Sequence, residues 1–280
     1  METLGGTKGE GVSADEEETT GKSPLPAGDW RDRLGIVNLS FWLFVLLVIS
    51  SLPVLQGSGR DVDTLEQMRR FFAKFLPPDL SIVDEVGVAL WETVQIAAMA
   101  TAFGVVISLI LGLAGARGLS PRWLVMATRF GLNVIRTLPS LIWALLAVAM
   151  VGANTLAGVI GLTFYSVGYL GKFFSEAFES LDPAVAEALR RLGADRWQAF
   201  QYGLWPTVRP LVWGHTLWML EYNIRSASII GYVGAGGIGL QLLRYQEFGQ
   251  WDRFATVLLC ILGIVVGLDS LSGWIRRKMV

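Results

Sequence analysis

Glu187-Ala188-Leu189-Arg190-Arg191-Leu192-Gly193, with Pro206 thirteen residues past that glycine, is a polar, helix-forming stretch lodged between long apolar runs. Asp182-Pro183 gives it a start, with Asp at the cap and Pro at the first helical position. Ala184, Ala186, Ala188 and Leu189 continue it with good helix formers, and Gly193 stops it. Asp195 then caps a second short helix through Arg196, Trp197, Gln198 and Phe200, and Pro206 opens the next apolar run. The predicted loop, residues 182–206, is therefore a helix-turn-helix in shape. Ala186, Ala188, Gly193 and Ala194 are small enough for a partner surface to approach closely. Arg190, Arg191 and Arg196 place the loop on the cytoplasmic side of a membrane.

The surrounding chain is a membrane protein by composition. Of 280 residues, 52% are hydrophobic and only 17% are charged, far from a soluble average. Eleven tryptophans and fourteen phenylalanines suit a protein with two wet-dry boundaries to anchor. A net charge of -1 excludes a nucleic-acid partner. Cys260 is the single cysteine, so no intrachain disulfide forms, and the single histidine, His215, excludes a multi-His metal site. Residues 1–29 read as a disordered acidic tail with the run Asp15-Glu16-Glu17-Glu18. Gly21-Lys22-Ser23 ends like a phosphate loop, but Glu16 stands where its first glycine belongs, so it reads as tail. No cleavable signal peptide is visible, since the first apolar run begins near Leu39.

A span needs about 20 mostly apolar residues, which predicts an all-α polytopic protein with about six transmembrane helices. These lie near 35–55, 86–114, 134–152, 155–175, 207–232 and 254–275. Arg129 and Arg136 interrupt the start of the third, so 121–133 reads as an amphipathic helix at the surface, with Pro139 near the start of the span. Arg31 and Arg33, Arg117 and Arg122, the loop arginines, and Arg276-Arg277-Lys278 all fall on one side, which must be the cytoplasm and holds both termini. Between the first two spans, Val62, Leu65, Met68, Phe72 and Phe75 recur at helical spacing among Arg60, Arg69, Arg70 and Lys74, ending at Pro77-Pro78. This is a short amphipathic helix on the outer interface or a cap packed on the spans. Three segments result: the tail 1–29, a first span with its outer segment at 30–82, and a core at 83–280 carrying the loop.

The loop resembles that of ABC-importer permeases, which reads E-A-A, three residues, G, nine residues, I-x-L-P. Glu187, Ala188, Gly193 and Pro206 match; Leu189, Gly203 and Trp205 depart from it. The resemblance covers roughly residues 85–275 and is closest to the phosphonate-type subunit. It is carried by Thr137-Leu138-Pro139-Ser140-Leu141-Ile142-Trp143-Ala144-Leu145-Leu146, Gly168-Tyr169-Leu170-Gly171-Lys172-Phe173-Phe174-Ser175-Glu176-Ala177, Glu221-Tyr222-Asn223-Ile224-Arg225-Ser226-Ala227 and Gly231-Tyr232-Val233-Gly234-Ala235-Gly236-Gly237-Ile238-Gly239. Methionine-type permeases share parts of this pattern. The resemblance implies a type I ABC-importer permease fold in the bacterial inner membrane. It implies a loop docked on a dimer of ATP-binding subunits, with Ala186, Glu187, Ala188, Arg190, Gly193, Ala194 and Pro206 as coupling residues. It further implies a second permease copy, a periplasmic substrate-binding protein, and surrounding membrane lipid. This chain then holds no cofactor and is not an enzyme, ATP and Mg being bound by the partner ATPase.

Glu221 and Arg225 stand in the middle of the fifth span at i,i+4 spacing, on a face shared with Trp218 and Ser228. A charge at mid-span costs roughly 2.5–3.5 kcal/mol on insertion scales, so each must pair or face a cavity. Two readings stay open: a pathway for an anionic substrate through Trp218, Glu221, Asn223, Arg225 and Ser228, or an ion pair that fixes helix register. Asp269 lies close enough to Arg276 to be partly compensated, and Glu92 near a span end. Gly234, Gly236, Gly237 and Gly239 match a dinucleotide fingerprint only formally, since an apolar span precedes them; they predict a tight periplasmic turn. Rival classes are a permease for another small solute such as methionine, a membrane-embedded enzyme using Glu221, Arg225 and His215, and an ion-driven transporter. The enzyme requires a convergent set of acids, bases or ligands, and the ion-driven transporter an internal repeat of broken helices; neither is evident.

Overall fold

The computed structural model describes residues 29–56 and 63–279. The acidic run, Gly21-Lys22-Ser23, Arg60 and Val62 lie outside these. The described residues are helical and fall in two units, divided between Asp63 and Thr64. In the first unit, α1 (Asp29–Ser51) continues into a short 3-10 turn, and its apolar stretch Val37–Val54 is long enough to cross a membrane.

The second unit begins with α2 (Thr64–Ala73) and continues through α3 (Val83–Gly115), α4 (Arg122–Thr137), α5 (Ser140–Val151) and α6 (Thr155–Glu179). Then come α7 (Pro183–Arg191), α8 (Arg196–Ala199), α9 (Trp205–Ile230), α10 (Ile238–Glu247) and α11 (Trp251–Met279). Among the described residues four helices are long and apolar enough to cross a membrane, or six if two bent pairs each count as one span. The pair α4–α5 bends by 91°, and the pair made by α9 and α10 by 45°. The third predicted span therefore starts differently from expectation. The helix does not begin at 134: α4 runs unbroken to Thr137, and the break falls at Leu138-Pro139, with Pro139 capping α5. Proline disfavours helical backbone in the residue before it, so the apolar helix restarts at Ser140.

α6 is the axle of this unit. Its glycines let neighbours approach closely, the main means by which helices associate in lipid. A Cβ on Gly161 would stand 2.6 Å from Ala144 Cα of α5, and one on Gly104 of α3 would stand 2.7 Å from Ser166 Cβ. Three apolar clusters follow. Ile96, Ala100, Ala144, Leu162, Ile224 and Ile230 join α3, α5, α6 and α9. Leu170, Phe174, Phe178, Val208, Val212 and Met219 seal α6 on α9 toward the loop. Val86, Ile238, Leu242 and Val257 hold α10 between α3 and α11.

The predicted amphipathic segment forms α2 and packs on the helices that follow it. Phe71 and Phe75 pack on Trp251, with ring centroids 4.9 and 5.8 Å away, while Leu65, Met68 and Phe72 stay exposed. Asp79 anchors the connection that follows. It accepts from Ser81 Oγ at 2.6 Å, pairs with Arg253 Nε at 3.1 Å, and its carbonyl accepts from Thr256 Oγ1 at 2.8 Å.

Candidate functional site

The loop forms as its local sequence dictates. Asp182 Oδ1 accepts from the Ala184 amide at 2.9 Å, capping α7. At the other end Gly193 has φ +96°, a backbone that strains any side chain, and the Ala194 amide returns to Leu189 O at 3.1 Å. Asp195 and Gln198 then form a reciprocal cap: Asp195 Oδ1 accepts from the Gln198 amide at 2.7 Å, and Gln198 Oε1 accepts from the Asp195 amide at 3.0 Å. A π turn, Phe200–Leu204, leads into α9.

Glu187, Ala188, Arg190 and Gly193 are exposed, with Glu187 paired to Arg191 at 2.8 Å, whereas Ala186 and Ala194 are half-buried. The outward surface of the loop thus includes Glu187, Ala188, Arg190, Gly193 and Leu192, the last 85% exposed. Pro206, also exposed, stands in the first turn of α9. The loop is tied back to the bundle through Glu179, three residues before its cap. That carboxylate accepts from the Arg117 amide and from Arg129 Nη2, and Arg129 Nε donates to Gly115 O at 2.9 Å.

Two departures from the permease pattern meet in space. A Cβ on Gly203 would lie 2.8 Å from Leu189 Cδ1 and 3.3 Å from Val185 Cγ1. The large residue at 189 thus fills the room left by the missing side chain at 203. Along the sequence these are two separate departures; in space they are one exchange of volume between α7 and the π turn.

Inside the bundle the predicted pathway residues separate. Glu221 does not pair with Arg225. Its Oε1 takes Arg276 Nη2 at 3.2 Å, and Glu221 is only 7% exposed. Arg276 therefore answers Glu221 on α9, and Asp269 is left exposed. Asn223 is fully buried and ties three helices together, donating from Nδ2 to Thr101 Oγ1 of α3 at 2.9 Å and to Ser166 Oγ of α6 at 2.8 Å. Ser228 is buried and bonds back to Ile224 O. Trp218 and Arg225 remain on an accessible face, Trp218 half-buried and Arg225 exposed.

That face continues across α6 as an aromatic seam which sequence reading missed. Tyr165 stacks on Tyr222 with centroids 4.8 Å apart, Trp218 meets Phe173 at 5.8 Å, and Phe173 stacks on His215 at 4.6 Å. The signal was present as Tyr165, Tyr169 and Phe173 at i, i+4 and i+8, a spacing shared by any packed helix face.

At the opposite end of the bundle, Gly234, Gly236 and Gly237 all take positive φ. At Gly237, with φ +70°, a side chain would also strike Thr93 Oγ1, the atom that accepts from the Ile238 amide at 2.8 Å. Gly239 lies against the backbone of Gly231 and Ser228, so it serves packing. The run makes the turn that starts α10.

The described residues thus form a helical bundle with two bent pairs, no strand, and a doubly capped exposed loop. Residues 104–280 match the family of binding-protein-dependent transport system inner membrane components, and the chain belongs to that family. It is 35% identical over 244 residues to the phosphite transport system permease protein PtxC of Stutzerimonas stutzeri, covering 87% of this chain and 86% of that one. It is 32% identical to the phosphate-import permease protein PhnE of Mycolicibacterium smegmatis, covering 92% of this chain and 49% of that longer protein. Its fold is similar to a chain of the inward-facing MetNI methionine ABC transporter, with TM-score 0.63, 22% identity, and 72% and 99% of the two chains covered. As a permease subunit of an ABC importer, the chain does not itself hydrolyse ATP; a separate subunit does, and a substrate-binding protein serves the system.

Proposed function

We propose that this chain is one half of a homodimeric translocation unit that carries a phosphorus oxyanion, in the class of phosphite, phosphonate or phosphate, into the bacterial cytoplasm. The relationship to a phosphite permease along 87% of the chain carries this reading. The exposed guanidinium of Arg225, on a face with Trp218, supports it as a first contact for an anion in the spans.

Both termini and the 182–206 loop lie on the cytoplasmic side. Glu187, Ala188, Arg190 and Gly193 form the surface that enters the ATP-hydrolysing subunit, where ATP and Mg are bound. The Glu179 clamp passes the motion of the loop to α3, α4 and α6. The glycine turn at 234–239 faces the periplasmic binding protein, and Leu65, Met68 and Phe72 of α2 lie in the outer lipid boundary. ATP-driven closure of the partner subunits moves the loops and tips the spans between inward and outward opening.

The test is reconstitution with the ATP-hydrolysing subunit and the binding protein. Uptake of labelled phosphite that requires ATP and is absent for methionine is the expected result. Uptake of methionine alone would overturn the substrate reading. Gly193→Trp should abolish co-purification of the ATP-hydrolysing subunit, because φ +96° excludes a bulky side chain.

A further inference from the structure

The cations of the second unit that lie against its packed helices mostly have carboxylate partners: Arg129 with Glu179, Lys172 with Glu176, Arg253 with Asp79 and Arg276 with Glu221. Two guanidinium groups beside the α6–α9 seam have no ion pair among the described residues. Arg225 shares the face of α9 that carries Trp218 and Tyr222. Arg136, at the end of α4, lies with its Cζ 4.5 Å from the Tyr169 ring centroid. Its Nε is buried and donates to no acceptor among the described residues. Leaving a charged donor buried and unmade costs more than the roughly 1–3 kcal/mol of a neutral group. Such a group has capacity to spare for a visiting anion.

The seam connects these two positions. Tyr169 stands 4.7 Å from Tyr165 and 6.5 Å from Trp218, centroid to centroid. Trp218 and Arg225 are seven residues apart on α9, about 10 Å of axial rise. Beyond Arg136, one to two turns toward the loop, lies a cavity of about 250 Å³ lined by Arg129, Asn133, Lys172, Ser175 and Glu176. Asn133 and Arg129 precede Arg136 by three and seven residues on α4, and Lys172 and Glu176 follow Tyr169 by the same steps on α6. The cavity therefore continues the same two helix faces.

We infer that Arg136 is an inner anion station, one step past Arg225, and that the Asn133–Lys172 cavity is the vestibule into which the anion leaves. This rests on the phosphorus-oxyanion reading. A planar guanidinium matches two oxygens of a tetrahedral oxyanion, and the Tyr169 face holds the plane while leaving N–H edges free. Single cations at separate levels of the seam bind weakly enough for the anion to move on, as conduction requires. Glu176 opposes retention in the vestibule.

The test uses the complete complex with its ATP-hydrolysing subunit and binding protein in proteoliposomes, with labelled phosphite. Arg136→Gln should lower uptake by about tenfold or more, the worth of one charge-assisted hydrogen bond. ATP hydrolysis stimulated by the binding protein should persist, and Arg136→Lys should recover part of the uptake. Equal uptake by Arg136→Gln and wild type overturns the inference while leaving the substrate reading intact. A wild-type complex that carries no phosphorus oxyanion overturns the substrate reading itself. A second measurement covers a variant that fails to assemble: Asn133→Cys in a Cys260→Ala background, treated with an anionic water-soluble thiol reagent. Labelling that phosphite slows supports the vestibule, and absence of labelling refutes it.

Discussion

The exchange of volume between Leu189 and Gly203 can be tested by restoring the permease pattern at both positions. Gly203→Ile alone places a branched side chain where Leu189 Cδ1 is 2.8 Å from the new Cβ and Val185 Cγ1 is 3.3 Å away. Overpacking of this kind costs about 1–3 kcal/mol, against a few tenths gained from better helix propensity, so destabilisation wins. Leu189→Ala alone removes a half-buried side chain. It should cost about 1–2 kcal/mol, below the 2–5 of a fully buried leucine. In the double variant the isoleucine fills the room the leucine vacates, so the cost should fall below the sum of the singles by about 1–3 kcal/mol. The assay is amide hydrogen exchange over 184–204 in the assembled complex, where each 1.4 kcal/mol of lost protection appears as about tenfold faster exchange. Additive costs, with the double variant exchanging fastest, would refute the packing account and leave the two departures unrelated.

Other expectations follow from single contacts. Asp182→Ala removes the cap on Ala184 N and should cost the loop about 0.5–2 kcal/mol; hydrogen exchange at 184–186 and weaker retention of the ATP-hydrolysing subunit should report it, with Asp182→Asn near wild type. Arg276→Met leaves Glu221 buried without its partner, so the melting temperature in detergent should drop by the equivalent of about 3–5 kcal/mol. The double change Arg276→Met with Glu221→Leu should recover most of this loss. Asn223→Leu strips two donors from the junction of α3, α6 and α9 and should cost about 1–3 kcal/mol in the same melt. The Ser81 hydroxyl and amide, with Arg253, hold the Asp79 carboxyl below its ordinary 3.8. Its anchoring is thus fully present above that pH and lost as pH falls through the lowered value. Trp251 fluorescence should stay level from neutral pH down to about pH 4 and change only below it, and Asp79→Asn should remove that change.

What could be read in advance follows the range of the interaction. The caps at Asp182 and Asp195 and the stop at Gly193 act within three or four residues, so the loop was legible in its sequence. The spans were legible because lipid demands long apolar runs. The α4–α5 break was misplaced because Arg129 and Arg136 interrupt the apolar pattern before Pro139 does. One of these arginines is answered by Glu179, fifty residues on, and the other by an aromatic ring. The partner of Glu221 lies 55 residues away on α11, while Arg225 offered a local alternative at helical spacing. Asn223 carried no local mark of joining three helices, since its partners are 122 and 57 residues distant. Long-range pairing chose among contacts that periodicity left equivalent.

The most direct test of the central claim is the stoichiometry of transport to hydrolysis in proteoliposomes holding this chain, its ATP-hydrolysing subunit and the binding protein. The account predicts phosphite accumulation in step with ATP consumed, with both abolished by Gly193→Trp and only accumulation lowered, by about tenfold or more, by Arg136→Gln. Phosphite accumulation that continues without ATP, or with the loop disrupted, would contradict it.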